Sequence, residues 1–221
     1  MKVLYVGSGL SAQQATDERY RDHIKVCLNN AWRIFPDEVF DYWIHPNDFP
    51  AENYPQTKNY RTEIRHKEYS AALHQGAETL GFGELSGFNL ERKIGYTSFF
   101  QGLYWIMLTL APARIGLLGF DHDYNPEKVQ KWRAEGMPQV CNDFNQKTEK
   151  TLREWAGNYF SGLEQDSFYG HGTPDPLRFG PEYLEQKMHI AVASAKTLGV
   201  EIVNYSQRPS PYNIFVRGTP E

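Results

Sequence analysis

Short apolar runs that end in polar residues recur along this chain, and they limit its fold more than any other feature. Lys2–Val6, Ile24–Leu28 and Val39–His45 are rich in β-branched and aromatic residues, and each run stops at a cluster that contains glycine, asparagine or proline. Arg114–Phe120 is a fourth run, continuously apolar, of the kind that lies buried on both faces of a parallel sheet. Runs of this length and composition predict β-strands.

Helical patterns stand between these predicted strands. Apolar residues recur at spacings of three and four after Thr97, until Pro112 ends the pattern. A second helix opens at Pro181 and ends at Gly199, before a strand at Val200–Val203. Its predicted apolar stripe consists of Leu184, Met188, Val192, Ala195 and Leu198. Strands that alternate with helices predict an α/β fold with a Rossmann-like, doubly wound and mainly parallel sheet.

The chain is predicted to form a single domain over residues 1–221, because its length is close to the range of about 100 to 200 residues for one domain. The mainly polar sequence of residues 49–95 predicts one strand or short helix among loops. Residues 125–180 mix charged and aromatic residues with a loop rich in glycine and proline. We interpret 125–180 as a lid or insertion within the domain.

Charge and hydropathy exclude two classes of protein. The chain has 23 basic and 27 acidic residues and a formal net charge of −4, which excludes a nucleic-acid binder that works by bulk attraction to phosphates. No apolar run approaches the roughly 20 residues that cross a bilayer, and the first residues lack an apolar signal segment, so we expect a cytoplasmic protein without a membrane span. Cys27 and Cys141 fit neither a disulfide framework nor a metal site and are expected to be reduced thiols.

A glycine-rich turn, Gly7-Ser-Gly-Leu-Ser11, follows the first predicted strand, and a helix-compatible stretch continues to Asp22. Glycines let a backbone approach a phosphate, and the following helix offers free N–H groups. The turn is neither a G-x-G-x-x-G nor a Walker sequence, and ordinary strand-to-helix topology explains it equally well. If it holds a phosphate, a β-branched residue at Gly9 is expected to block the ligand and to leave folding largely intact.

Three further features each have a chemical and a plain interpretation. Asp121-His-Asp-Tyr124 combines carboxylates and imidazole, which suits a metal or acid–base site, but these residues by themselves favour a turn capped by Asp121 with the other side chains solvated. His171 stands between two glycines and is a candidate general base or a surface residue. The basic residues Arg61, Arg65 and Lys67 form either a solvated face or a phosphate contact.

Six short motifs occur in order along the chain: Val6-Gly-Ser-Gly-Leu-Ser11, Leu28-Asn-Asn30, Ile44-His-Pro46, Tyr96-Thr-Ser98, Leu118-Gly-Phe-Asp121 with a following tyrosine, and Gly170-His171. Read in this order, they resemble the bacterial CMP-sialic-acid-dependent sialyltransferases. Flagellin-glycosylation factors and archaeal pterin diphosphokinases, which have the same broad fold, share the first and fifth motifs. Departures from the sialyltransferase pattern occur at Ser8 and Leu10, which replace Asn and Pro, and at His45, which replaces Asn.

The resemblance implies a glycosyltransferase that moves a sugar from a CMP-sialic-acid-like nucleotide sugar to an acceptor hydroxyl, without a metal or any cofactor besides the donor. Its implied catalytic residues are His171 as the base, Tyr124 beside the leaving phosphate, and Asp121. The implied nucleotide-binding residues are Gly7, Ser8, Gly9, Ser11, Asn29, Asn30, His45, Thr97 and Ser98.

Two alternatives stay open at the level of sequence. The first is a diphosphokinase-like phosphoryl transferase in which Asp121 and Asp123 hold Mg²⁺. The second is a nucleotide-binding module without catalysis. The acceptor is a glycan, a protein, a small molecule or a nucleic acid, and a homo-oligomer is compatible with the sequence.

Overall fold

The computed structural model describes residues 1–122 except 48, 86 and 96, two short strands at 166–167 and 170–171, and residues 181–220 except 211. Seven of the described strands form one sheet in the order β4-β3-β2-β1-β5-β8-β9, and every neighbouring pair is parallel. This arrangement confirms the predicted Rossmann-like α/β fold. The strands are β1 Lys2–Val6, β2 Ile24–Leu28, β3 Phe40–His45, β4 Tyr60–Arg65, β5 Arg114–Leu118, β6 Asp166–Ser167, β7 Gly170–His171, β8 Glu201–Asn204 and β9 Val216–Arg217.

Strand β1 is the centre of the sheet and the point where the strand order reverses. Val3 is paired with Ile24 of β2 on one side and with Ile115 of β5 on the other. The chain moves outward from β1 through β2, β3 and β4, and then returns to place β5 on the opposite side of β1. A reversal of this kind opens a crevice at the carboxyl ends of the two central strands.

The two faces of the sheet are covered differently. On one face, four α-helices pack against alternate strand residues such as Val3, Tyr5 and Val26. On the other face, Leu4, Val6 and their neighbours pack against short 3₁₀ segments that connect the first strands. The helices are α1 His66–Gly76, α2 Gly87–Ile94, α3 Ser98–Trp105 with a π-helical continuation at Ile106–Leu110, and α4 Pro181–Thr197, and the 3₁₀ segments are Leu10–Thr16, Glu18–Tyr20, Asn29–Ile34 and Ala51–Asn53.

Four local predictions are corrected by the structure. Residues 49–95 contain β4, α1 and α2 rather than one regular element, and the pattern is weak because β4 is an edge strand with only Ile64 buried. The stretch after Ser11 forms two 3₁₀ segments instead of one helix, and Asp17, between them, accepts the N–H of Arg19 at 3.1 Å. On α4, Ala191 is buried and Val192 is exposed, so the apolar stripe was misplaced there. Strand β9 has no counterpart in the prediction.

Other predictions hold or lie outside the described residues. Thr97 is the N-cap of α3, and its hydroxyl oxygen accepts the N–H of Phe100 at 3.5 Å. Cys27 is a buried free thiol in β2. No helix within the described residues is both long enough and apolar enough to cross a membrane. The predicted lid at 125–180 lies outside the described residues except for β6 and β7, which pair antiparallel.

A buried histidine lies next to the amino end of β2. His23 is only 7% exposed, and its ring lies edge-on to those of Tyr20 and Tyr205, at centroid distances of 5.6 and 6.4 Å. Neither ring nitrogen has a hydrogen-bond partner among the described residues. Burial is the main cause that lowers the pKa of His23 from 6.5; Lys2, Arg114 and Lys25 act in the same direction, and Asp22 opposes them.

Acid should therefore destabilise the wild-type protein more than a His23→Phe variant. The folded-state pKa lies below the unfolded value, so the unfolded chain takes up the proton first as the pH falls below about 6.5. The stabilisation is complete above that pH and is lost between it and the folded-state pKa. Urea unfolding at about pH 7.5 and about pH 5.5 measures the effect, with the exposed His74→Gln as control. Equal losses in wild type and His23→Phe would contradict this assignment.

Candidate functional site

The residues predicted to bind a nucleotide come from segments that meet at one edge of the sheet. Because β1, β2, β3 and β5 are parallel and adjacent, their carboxyl ends lie side by side. Helix α3 leads into the amino end of β5, so its first residues lie at the same edge. A direct contact supports this placement, since the hydroxyl of Tyr5 donates to the carbonyl oxygens of Ser98 at 3.3 Å and Phe99 at 3.2 Å.

The glycine-rich turn after β1 packs against the turn after β5. The N–H groups of Gly7 and Gly9 donate to the carbonyl oxygens of Leu118 and Gly119, both at 2.8 Å. A Cβ on Gly7 would lie 2.5 Å from the Gly119 oxygen, and one on Gly9 would lie 2.7 Å from Oδ2 of Asp121. Both glycines are therefore required for the contact between the two turns. This corrects our expectation that a β-branched residue at Gly9 would leave folding intact.

Asp121 is the common partner of three loops. The residue is 2% exposed, and its Oδ2 accepts the N–H of Ser11 at 2.9 Å. Its Oδ1 accepts the hydroxyls of Ser206, at 2.6 Å, and of Ser11. The Ser11 hydroxyl oxygen in turn accepts the N–H of Gly119 at 2.8 Å. These are the contacts of the turn-capping interpretation, and the catalytic role of Asp121 stays a prediction.

An aromatic cluster occupies the other side of the same junction. The ring of Phe120 contacts those of Tyr5 and Phe99, at centroid distances of 4.7 and 4.6 Å. His122 follows in a left-handed backbone conformation, with φ of 48°, and packs edge-on against Phe99 and Tyr212. The junction between β1 and β5 is thus filled by Phe120 on the α3 side and by Asp121 on the other.

Asn29 and Asn30 follow β2 at this edge, and both are half-buried. Asn29 has a left-handed backbone conformation with φ of 51°, which asparagine adopts more readily than most residues. Its carbonyl oxygen accepts the indole N–H of Trp43 at 2.9 Å. The Oδ1 atom of Asn29 is buried and has no hydrogen-bond partner among the described residues. The backbone carbonyl of Asn29 therefore has an internal partner, whereas its side-chain oxygen has none in the part of the chain that the structure describes.

His45, at the end of β3, makes contacts within the protein through both ring nitrogens. Nε2 lies 2.9 Å from Oε1 of Glu63, and Nδ1 lies 3.1 Å from the carbonyl oxygen of Pro46. The ring stacks on Trp43 at a centroid distance of 4.2 Å. Hydrogen bonds from Arg65, and secondarily from His45, lower the pKa of Glu63 below its ordinary value. A nucleotide contact through the imidazole would have to replace one of these partners.

The hydroxyl side chains differ in accessibility. Thr97 is buried and engaged as the N-cap of α3, and Ser11 is buried against Asp121. Ser8 and Ser98 are half-buried at the open edge. Of the predicted hydroxyl ligands, Ser8 and Ser98 are therefore the two that a bound molecule reaches most easily.

Several predicted residues cannot be compared with these contacts. Asp123 and Tyr124 lie outside the described residues, and for His171 the structure describes only the pairing of its backbone with Asp166. Within the described residues, no group of three or more histidine, cysteine, aspartate or glutamate side chains could hold a metal ion. Arg61 and Arg65 are exposed and pair with Asp41 and Glu63.

Sequence reasoning missed the contribution of the loop after β8. Ser206 and Arg208 both lie next to Asp121, with the Arg208 Nε 3.7 Å from its Oδ2. The signal was present, because Asn204-Tyr-Ser206 is a polar cluster at the end of an apolar run, as at the other strands.

Comparison of the chain with protein-family models, with curated proteins and with solved structures finds no match. The resemblance to the sialyltransferases therefore stays a prediction, and arguments about function start from the residues at this edge.

Asp121→Ala should lower the free energy of unfolding by about 3–5 kcal/mol, because it leaves the buried amide of Ser11 and the hydroxyl of Ser206 without an acceptor. Asp41→Ala is a matched control, since Asp41 also accepts a backbone N–H, from Lys25 at 2.9 Å, but is 24% exposed. We expect the control to cost about 1 kcal/mol. Urea denaturation measures both values, and similar costs for the two variants would show that Asp121 does not hold the loops.

Proposed function

We propose that this protein is a glycosyltransferase that binds a nucleotide-sugar donor at the carboxyl edge of its sheet and transfers the sugar to an acceptor hydroxyl. The observation that carries the proposal is the sheet order, which aligns the ends of β1, β2 and β3 and the start of α3 along one edge. These segments hold every residue predicted to contact the nucleotide. Open parallel sheets bind ligands beyond such strand ends, where the strand order reverses.

The chemistry of the edge is suited to a leaving phosphate. In the proposed reaction the acceptor oxygen bonds to the anomeric carbon, the bond from that carbon to the phosphate oxygen breaks, and the nucleotide leaves with the electron pair. The phosphate gains negative charge as the bond breaks, so hydrogen-bond donors aimed at it accelerate the step. The Ser8 and Ser98 hydroxyls and the Asn29 amide are candidates for this role, and His171 would take the proton of the acceptor.

The described contacts do not favour the magnesium-dependent phosphoryl transferase. Ser11 and Ser206 already donate to both carboxylate oxygens of Asp121, so a metal ion on that side chain would have to displace them. The proposal keeps the cytoplasmic location predicted from the sequence. The acceptor class is identified by product analysis with glycan, protein, small-molecule and nucleic-acid acceptors.

Nucleotide binding tests the proposal through residues whose replacement spares the loop contacts. Titration calorimetry with CMP, UDP and GDP and their sugars should give tight binding of one nucleotide by the wild-type protein. Ser98→Ala and Asn29→Gly should each weaken that binding about 5- to 30-fold, the cost of one or two lost hydrogen bonds. Glycine at Asn29 keeps the left-handed backbone and removes only the amide.

The chain offers a matched control for each variant. Ser70→Ala changes another half-buried helical serine, on α1. Ala111→Gly changes another residue with positive φ, at the opposite edge of the sheet before β5. Both controls should bind the nucleotide like wild type. If no nucleotide binds, the proposed function is wrong, and if one binds but no sugar is transferred or hydrolysed, the chain is a binding module.

His171→Ala should lower kcat by about 10²- to 10⁴-fold and leave the nucleotide Kd nearly unchanged, because a general base acts on the acceptor and does not hold the donor. A near-parent kcat in His171→Ala would make His171 a surface residue.

The same transfer assays are repeated on the wild-type protein in excess EDTA. Activity that EDTA abolishes and Mg²⁺ restores would favour the phosphoryl-transferase alternative.

A further inference from the structure

Strand β4 forms one border of the sheet, and its outer edge has no partner strand among the described residues. Phe40 and Tyr60 lie opposite each other in the parallel ladder, and the N–H of Phe40 donates to the carbonyl oxygen of Asn59 at 3.0 Å. The polar backbone groups of a strand point alternately toward its two sides. The N–H and C=O groups of Tyr60, Thr62 and Ile64 therefore point away from β3, at an edge that another strand can extend.

The sequence of this edge is complementary to itself when two copies run antiparallel. With Thr62 opposite its own counterpart, Arg61 lies opposite Glu63 of the second copy, and Tyr60 lies opposite Ile64. Opposite charges, paired threonines, and an aromatic residue against a β-branched one are cross-strand pairs that stabilise antiparallel strands.

The same charges disfavour the neighbouring registers. A shift by two residues is the smallest that keeps each side chain on its own face of the sheet. In one direction this shift places Arg61 opposite Arg61, and in the other it places Glu63 opposite Glu63 and Arg61 opposite Arg65. Like charges directly opposite each other destabilise a strand pair. The charge pattern of β4 therefore selects the register that is centred on Thr62.

The charged residues of β4 also have partners within one copy. The Arg61 side chain is 71% exposed and lies 3.3 Å from Asp41, and Glu63 lies 2.7 Å from Arg65 and 2.9 Å from His45. Alternate residues of a strand share a face, so Arg61, Glu63 and Arg65 project on the same side of the sheet. Across the pairing, the row from Asp41 through Arg61 to Glu63 and Arg65 of the second copy alternates in sign. The pairing thus extends the existing ion pairs and does not break them.

We propose that this edge is the interface of a homodimer, in which β4 of two copies pairs antiparallel about Thr62 and joins the two sheets into one. The two-fold axis passes through Thr62, so each contact occurs twice, as in isologous interfaces. Thr62 exchanges both of its backbone hydrogen bonds with its counterpart, and Tyr60 exchanges both with Ile64 of the second copy. Dimerisation through β4 does not depend on the proposed function.

Charge reversal tests the pairing, because each of two substitutions should rescue the other. Sedimentation velocity of the full chain over about 1 to 100 µM should show a concentration-dependent dimer. Arg61→Glu places glutamates opposite each other, and Glu63→Arg places arginines opposite each other, so each variant alone should weaken dimerisation at least about 10-fold. An equimolar mixture of the two variants should dimerise like wild type, since every pair across the strands then has opposite charges.

Thr62→Pro tests the backbone hydrogen bonds. Thr62 is exposed, and its N–H faces away from β3, so proline spares the ladder within one copy. The variant should weaken dimerisation about 10- to 100-fold, the value of two lost hydrogen bonds. Arg21→Glu is the matched control for charge, because Arg21 is also exposed and pairs with a carboxylate, Glu18 at 2.8 Å, away from β4. Val216→Glu changes a residue that is 70% exposed, on β9 at the opposite border of the sheet. Both controls should dimerise like wild type.

Several outcomes would overturn the proposal. A wild type that stays monomeric over the whole concentration range shows that β4 is not an interface. A mixture of Arg61→Glu and Glu63→Arg that fails to dimerise excludes the pairing, and a dimer that is lost in Val216→Glu but kept in the β4 variants places the interface at β9. Thermal unfolding monitors the fold. If Glu63→Arg does not fold, Arg61→Glu and Thr62→Pro decide: weaker dimerisation in both supports the pairing, and a wild-type dimerisation constant in either contradicts it.

Discussion

One buried carboxylate connects the three central loops of this fold. Asp121 follows β5, and its hydrogen bonds reach Ser11 after β1 and Ser206 after β8, so the ends of three adjacent strands share one acceptor. A buried charge is tolerated only when hydrogen bonds replace its water, and here three donors do so. The Asp121 carboxylate lies so close to the backbone of residue 9 that only glycine fits there. The shape of the carboxyl edge depends on this cluster.

The cluster changes how the glycine-rich turn is understood. At the start of a helix after a parallel strand, free N–H groups are usually offered to an external anion. Here the amide of Ser11 already binds an internal anion, the carboxylate of Asp121. In the proposed function, a bound phosphate would therefore lie further out, near the half-buried Ser8 and Ser98. A turn motif alone does not distinguish these two arrangements.

The predicted nucleotide-binding residues separate into two groups by their contacts. Ser11, Thr97 and His45 are buried and bonded within the protein, and they determine the positions of loops and of the α3 terminus. Ser8, Asn29 and Ser98 are half-buried at the same edge. A single sequence motif therefore mixes residues that build the edge with residues that could meet a ligand, and burial is what separates them.

The sequence by itself determined β1, β2, β3, β5, β8 and the helices α3 and α4, because each buries a continuous or regularly spaced apolar face and has local start or stop signals. It did not reveal β4, α1 and α2, whose largely polar surfaces weaken the periodic pattern, or the two-residue strand β9. It placed the candidate nucleotide residues at strand ends but did not distinguish buried from accessible ones. Only the tertiary structure decided that Asp121 bonds to Ser206, 85 residues away, and lies beside Arg208. Contacts at such separations depend on strand order, and local sequence patterns contain no information about which distant loops will meet.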